Sequence, residues 1–393
     1  MFKDSNKFTF VQLLLYFFVN VLFIMKYIPR TGFNAIIPTV FYCLIILIVY
    51  LIYRRYSLVL KENTYKFLLW IFTFIAIIII TGILIKIEPL SVRVDRWSAV
   101  TYFLDSLFKG IYPYGTPTHV SLTNFPSPFP MWYVINLPFY LMGDVGIGLI
   151  FFLLLVLFAF YRLTQSYRQT FLFFLLIVLS PAYWWEVAVR SDSLSNGFLV
   201  LSIIFLYQTK KISIDRNLIL TAILCGIIAS TRLSAILPIA LFIFPSFLKL
   251  NWNKKISFIF TAAGFLILTF LPFIFWDTNE WIFFKRNPFM SQSSVGNPIL
   301  LLFMFVLGIF AALRWKNTSQ FFNITSIFIF IFILSFQINL LVTKGINDSI
   351  LTDSICDISY FSLCLPYCIA FLAINTNRLT SSLSRLNIPI ESK

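Results

Sequence analysis

The chain has 393 residues, 60% of them hydrophobic and only 11% charged, with a mean hydropathy of +0.90. That balance excludes a soluble fold, which lacks the interior to hide so much apolar surface. The net charge of +15 invites a nucleic-acid partner, but its placement along the chain, set out below, makes one unnecessary.

About 20 consecutive apolar residues cross a bilayer, and such runs recur from end to end. Twelve are expected, at roughly 8–25, 33–53, 65–85, 135–160, 170–187, 193–208, 217–230, 233–248, 256–276, 298–313, 320–343 and 359–375. The fold class is therefore all-α and polytopic. The runs are continuous, unlike the short alternating segments of a membrane β-barrel. The first run lacks a small-residue cleavage signature and reads as a retained anchor. The segments 217–230 and 233–248 meet at "STRLS" and could also form one long helix, which would invert everything downstream.

Charge fixes an orientation. With the N-terminus inside and the spans alternating, nineteen cations and four acids fall on the inner side. Eleven cations and eleven acids fall on the outer side or its edge. All the excess charge thus lies on one face, as the positive-inside rule requires. Both termini are expected in the cytoplasm, in a bacterial inner membrane. The inner loops are short and basic, without a glycine-rich phosphate cradle, so cytosolic nucleotide chemistry is not expected. The five cysteines show neither CxxC nor Cys/His spacing, which indicates neither a disulfide framework nor a zinc site.

The largest outer loop, 86–134, holds the stretch "SVRVDRWSAVTYFLDSLFKGIYPYGTPT". Wound at about 100° per residue, residues 95–109 put Asp95, Ser98, Tyr102, Asp105, Ser106 and Lys109 on one face. Trp97, Val100, Phe103, Leu104, Leu107 and Phe108 fall on the other. Gly110 and Pro113 end the helix. The pattern predicts a helix lying in the outer membrane interface. Its polar face holds the candidate site. Asp95 reads as either a catalytic carboxylate or a helix N-cap.

"DRWSAVTY" from Asp95, "GIYPY" from Gly110, "NFPSPFP" from Asn124 and "NLP" from Asn136 together resemble the first outer loop of GT-C superfamily glycosyltransferases. The similarity is to their bacterial mannosyltransferase-like branch. "RSDSL" from Arg190, "ASTRLSAILP" from Ala229 and "DISYFSLCLP" from Asp357 resemble later stretches of the same family. The resemblance covers about 90–370. It implies a single transmembrane domain over 1–393, with 1–64 as additional N-terminal helices and 86–134 as the catalytic outer loop. It further implies transfer of a hexose or pentose from a polyprenyl-phosphate donor to a glycan, lipid or protein acceptor on the non-cytosolic face. Asp95 stands where the family places its catalytic base.

Such chemistry needs a base for the acceptor hydroxyl and a cation for the departing lipid phosphate, a task suited to the guanidinium fork. The substrate-binding candidates are Arg96, Tyr102, Tyr114, His119, Arg190, Asp192, Arg232, Asp357 and Tyr360. Arg232 leads among the cations because a membrane-depth charge is costly and usually partnered. Asp192 is expected to hold Arg190 or Arg232 in place. Lys285 and Arg286 read as interfacial anchors, and Glu186 and Asp277 as ordinary loop charges. The first loop has no Asp-x-Asp, so neither an obligatory metal nor any other cofactor is expected. Membrane lipid is an expected partner and nucleic acid is not. An envelope polysaccharide polymerase or ligase, and a lipid-linked-sugar flippase or transporter, are the competing functions. The first more often carries several arginines in a large outer loop. The second tends to show internal repeats and broken, charged helices, and no internal repeat is evident here.

Overall fold

The computed structural model describes residues 2–56, 60–277, 279–293, 297–346, 350 and 358–383. Among these every regular element is helical. The chain opens with α1 (Phe2–Tyr27), α2 (Ile36–Tyr56) and α3 (Glu62–Lys86), followed by α4 (Arg96–Phe108) and α5 (Pro130–Leu141). Next come α6 (Ile147–Thr164), α7 (Tyr167–Val178), α8 (Pro181–Ala188) and α9 (Ser193–Thr209). The second half holds α10 (Leu218–Ala229), α11 (Leu233–Leu248), α12 (Trp252–Ile274) and the short α13 (Ile282–Lys285) and α14 (Pro288–Ser293). It ends with α15 (Pro298–Arg314), α16 (Thr318–Ile346), a 3₁₀ segment over Ile358–Cys364, and α17 (Leu365–Leu383).

All twelve expected apolar segments contain helix, but not all as single crossings. Seven of the described helical stretches are long and apolar enough to cross a membrane, or eight if the bent pair α7–α8 is one span. The remaining four, α9, α10, α11 and α15, have 12 to 17 residues. At 1.5 Å per residue, α10 reaches about 18 Å, well short of a hydrocarbon core of about 30 Å. The expected run 135–160 is two helices, α5 and α6, parted at Gly143, whose φ of 105° only glycine adopts without strain. The expected run 170–187 is broken after Val178, with a bend of 64°. The segment 217–248 is two helices, because Arg232 is extended, with φ −156° and ψ 151°.

α1 is a central helix. Gln12, Tyr16, Val19 and Asn20 are fully buried. Gln12 donates to Asn323 Oδ1 at 2.9 Å and accepts from Ser326 Oγ at 2.9 Å, which ties α1 to α16. Tyr16 donates to the Leu176 carbonyl at 2.8 Å. Asn20 Oδ1 accepts from Ser180 Oγ and from the Ala182 N–H. Ala182 lies in the first turn of α8, whose N–H groups have no partner within the helix. Interhelical side-chain bonds in membranes average about 0.6 kcal/mol, so these set rotation and register, and packing supplies most of the cohesion. α2, by contrast, is peripheral, with most of its residues turned outward. The close crossing of α10 and α12 depends on Gly226, where a Cβ would come within 2.5 Å of the Ala262 carbonyl.

α4 forms within one residue of the predicted 95–109. Its buried residues are Ser98, Ala99, Val100, Phe103, Leu104 and Ser106. The expected apolar face is thus only partly packed inward: Phe108 is exposed and stacks on Tyr140 at 5.9 Å. Ser98 and Ser106 turn inward because each has a partner, the His119 ring and the Thr116 hydroxyl.

Candidate functional site

The break between α10 and α11 organises the site. A helix leaves its last carbonyls without internal partners. Here the first loop supplies donors: Phe129 N–H donates to the Thr231 carbonyl at 3.0 Å, and Met131 N–H to the Ser230 carbonyl at 2.9 Å. From α9, Asn196 donates to the Thr231 hydroxyl at 2.9 Å. "NFPSPFP" and "ASTRLSAILP", about a hundred residues apart in sequence, are therefore hydrogen-bonded to each other.

Arg232 is held at this junction. Its Nε lies 2.8 Å from Asp192 Oδ2, with side-chain exposures of 7% and 6%. The contact is an ion pair by distance but is not aligned as a hydrogen bond, and neither Asp192 oxygen has a hydrogen-bond partner among the described residues. One guanidinium nitrogen also reaches the Ser193 hydroxyl at 3.4 Å. The guanidinium thus keeps donor capacity for a further anion.

Asp95 occupies the position before α4, and its carbonyl accepts from Ala99 N–H. Its carboxylate makes no capping bond and no ion pair or hydrogen bond among the described residues. It is a half-buried, uncommitted acid. The adjacent Arg96 donates to Ser359 Oγ at 3.3 Å and sits 5.9 Å from the Tyr360 ring centroid. Burial works against the Arg96 charge. Tyr360, Asp95, Asp192 and Glu186 more than offset it and raise its pKa above the ordinary value.

Glu186 is the residue that sequence reasoning missed. It is fully buried. One carboxylate oxygen accepts from Leu194 N–H at 3.2 Å, in the first turn of α9, and the other from Ser362 Oγ at 3.0 Å. It therefore clamps together the two segments that carry Asp192 and Tyr360. The available signal was a lone acid inside the apolar "AYWWEVAV", because an unexplained charge at membrane depth points to function or to a buried partner.

Arg232, Asn196 and Tyr360 line one end of a cavity of about 400 Å³. Ser127, Ser234 and Tyr367 also line it, and its remaining walls are apolar, from α9, α11, α15 and α16, including Leu237, Phe305 and Phe332. A wholly apolar groove of about 580 Å³ continues from it, sharing Leu237, Ala240, Phe305 and Phe332 and reaching Phe244. Measured along α11, Arg232 to Phe244 spans about 18 Å. The combined space is a polar head with a long apolar tail.

Other expected site residues are placed elsewhere. Arg190 gives its Nε to Asp144 at 2.7 Å and its terminal nitrogens to the Ile87 and Leu84 carbonyls at 3.0 and 2.6 Å. It pins the end of α3 and is not among the cavity-lining residues. Tyr114 is buried, donating to the Pro128 carbonyl at 3.2 Å and packed edge-on against Phe103. His119 bridges Ser98 Oγ at 2.6 Å and the Val92 carbonyl at 2.9 Å, which fastens the loop to α4. Since a carbonyl only accepts, Nε2 carries the proton there. Tyr102 is half-buried against Trp97. Arg286 is a clasp between the first loop and the segment after α12: it stacks at 4.0 Å over Phe125, and its carbonyl accepts from the Tyr112 hydroxyl at 2.7 Å. At the far end of α4, the hydrogen bond to Asp105, helped by burial, pushes Tyr140 up to about 12. Asp357 lies outside the described residues. Among the described residues no three of His, Cys, Asp or Glu are grouped to hold a metal ion.

No family model, no curated protein and no solved structure matches the chain.

Proposed function

We propose that the chain is an integral-membrane glycosyltransferase of the GT-C kind. It moves a hexose or pentose from a polyprenyl-phosphate donor to an acceptor hydroxyl on the non-cytosolic face. The observation that carries this reading is the shape and chemistry of the cavity. A buried arginine with unused donors stands at its polar end, and an apolar groove leads away from it, so that the whole space from Arg232 to Phe244 runs about 18 Å along α11. A phosphate joined to a long hydrocarbon chain has that same polarity. In the proposed step Asp95 takes the acceptor proton as its oxygen bonds to the anomeric carbon. The bond from that carbon to the phosphate oxygen breaks, and Arg232 stabilises the charge left on the lipid phosphate. The leaving group is already a phosphate, so no separate general acid is required. Asp192 orients Arg232, and Tyr360 and Asn196 border the sugar.

The donor class is the direct test. Purified protein given a sugar-labelled polyprenyl phosphate should turn over, and the same sugar on a nucleotide should not react. Turnover with a nucleotide sugar in the absence of any lipid carrier would end this reading.

The orientation is part of the proposal, with both termini in the cytoplasm of a bacterial inner membrane and 86–134 outside. Leu122, in that loop, is 82% exposed, whereas Thr118 nearby is buried. A cysteine at Leu122 should react with an impermeant maleimide in intact cells whose outer membrane has been made leaky. Reaction only after the inner membrane is opened would invert the map and remove Asp95 from the outer face.

A further inference from the structure

At the far ends of the same helices lies a second cavity, a surface pocket of about 230 Å³. Tyr207, Ser213, Asp215, Ser246, Lys249 and Trp315 are among its lining residues. Its wall is firmly built. The Trp315 indole donates to the Leu241 carbonyl at 3.0 Å and stacks on Phe242, against which Tyr207 packs edge-on. The surroundings are strongly basic: three cations in 210–216, three in 249–255 and two in 314–316 face a single acid, Asp215. That acid is taken by Lys254 at 2.7 Å. Lys249, on the cavity wall, has no acidic partner among the described residues.

α9, α11 and α15 end here, and helix C-termini attract cations without any ligand. Together with the positive-inside rule, that explains why this end is basic. It does not explain a pocket with an apolar floor of Ile214, Phe242 and Leu250 and, at its exposed rim, two serine hydroxyls and a lysine without an acidic partner among the described residues. The space is below the usual 300–1,000 Å³ of a whole-ligand pocket, so it suits a headgroup better than a nucleotide. Trp and Tyr gather at headgroup depth, and the anion concentrated at that depth beside a basic protein face is lipid phosphate.

We propose that this cavity binds the phosphate of an anionic phospholipid. The site is independent of the glycosyl-transfer reading and lies at the opposite ends of α9 and α11 from Asp192 and Arg232. Lys249 meets the phosphate as a point charge, Ser213 and Ser246 donate to its oxygens, and Trp315 and Tyr207 flank the glycerol. Free phosphate shares this chemistry, so the test separates the two sources. The full chain in detergent is titrated with phosphatidylglycerol and followed by native mass spectrometry, with and without millimolar inorganic phosphate. Lys249→Gln removes the charge, and Ser246→Trp fills the space. Each should weaken lipid binding roughly tenfold, the scale of one charge-assisted contact. Lys316→Gln, a control at the same basic end but not on the wall, should change it less than twofold. Inorganic phosphate should leave the bound lipid in place. Equal loss in Lys316→Gln would reduce the site to a diffuse field, and displacement of the lipid by inorganic phosphate would reassign it to a soluble anion.

Discussion

Asp95→Asn should lower turnover by roughly 10²–10⁴-fold, the usual worth of a general base, while leaving donor binding and stability nearly unchanged. The separation is possible because this carboxylate holds nothing in place. It makes no capping bond to α4 and no ion pair among the described residues, so the amide, of the same size, disturbs no hydrogen bond there. Arg96 loses one of its compensating charges but keeps Asp192 and Glu186. A shift in stability of about 0.5 kcal/mol is the scale of a substitution away from buried networks. The reading as a helix N-cap makes a different forecast: asparagine caps as well as aspartate, so Asp95→Asn would keep its rate, and a loss of about 1 kcal/mol would appear only in Asp95→Ala. Rates and thermal unfolding of the purified variant decide between them. Near wild-type transfer by well-folded Asp95→Asn would remove this residue from the reaction.

The parts of the site differ in how visible they were in the sequence. Arg232 stood out because a cation between two apolar runs demands a partner, and the break at 230–232 follows from its extended backbone. Its pairing with Asp192 in preference to Arg190 was not legible. Arg190 has Asp144 and two carbonyls at the end of α3, and these partners lie 46 to 106 residues away, where periodicity carries no information. His119 and Tyr114 looked like site residues because polar and aromatic groups in an outer loop have several possible uses. Only the fold reveals that both are occupied in fastening that loop. Glu186 was passed over for the reverse reason. An acid near the end of an apolar run looks like an ordinary loop charge until the 64° bend after Val178 carries it inside. The twelve apolar segments were evident because hydrophobic continuity survives without tertiary information. Whether a 12-residue helix such as α10 crosses depends on neighbours that shield its ends, which composition does not encode. The central place of α1 was likewise unreadable, because Gln12 and Asn20 find their partners on α16 and at the bend between α7 and α8.

The Arg232–Asp192 pair should give the second large effect, and its two halves should fail in different ways. Arg232→Gln leaves Asp192 buried without its ion-pair partner, with only the more distant Arg96 to offset it, and breaking a buried pair from one side costs on the order of 3–5 kcal/mol. It also removes the cation proposed to meet the donor phosphate, a contact of about 1.5–3 kcal/mol, so donor affinity should fall roughly tenfold or more. Asp192→Asn keeps that cation. Stability should drop, because Arg232 is now the unpaired charge, but bound lipid phosphate would replace the missing carboxylate. The Asp192→Asn protein should therefore gain more thermal stability from added polyprenyl phosphate than wild type does. The double variant Asp192→Asn with Arg232→Gln removes both charges, so most of the lost stability should return without donor binding. That divergence distinguishes a phosphate site from a purely structural ion pair. If the double variant regains stability and binds donor as wild type does, the pair is a strut, and the cation for the leaving phosphate must be sought at Arg96, the half-buried guanidinium over the Tyr360 ring.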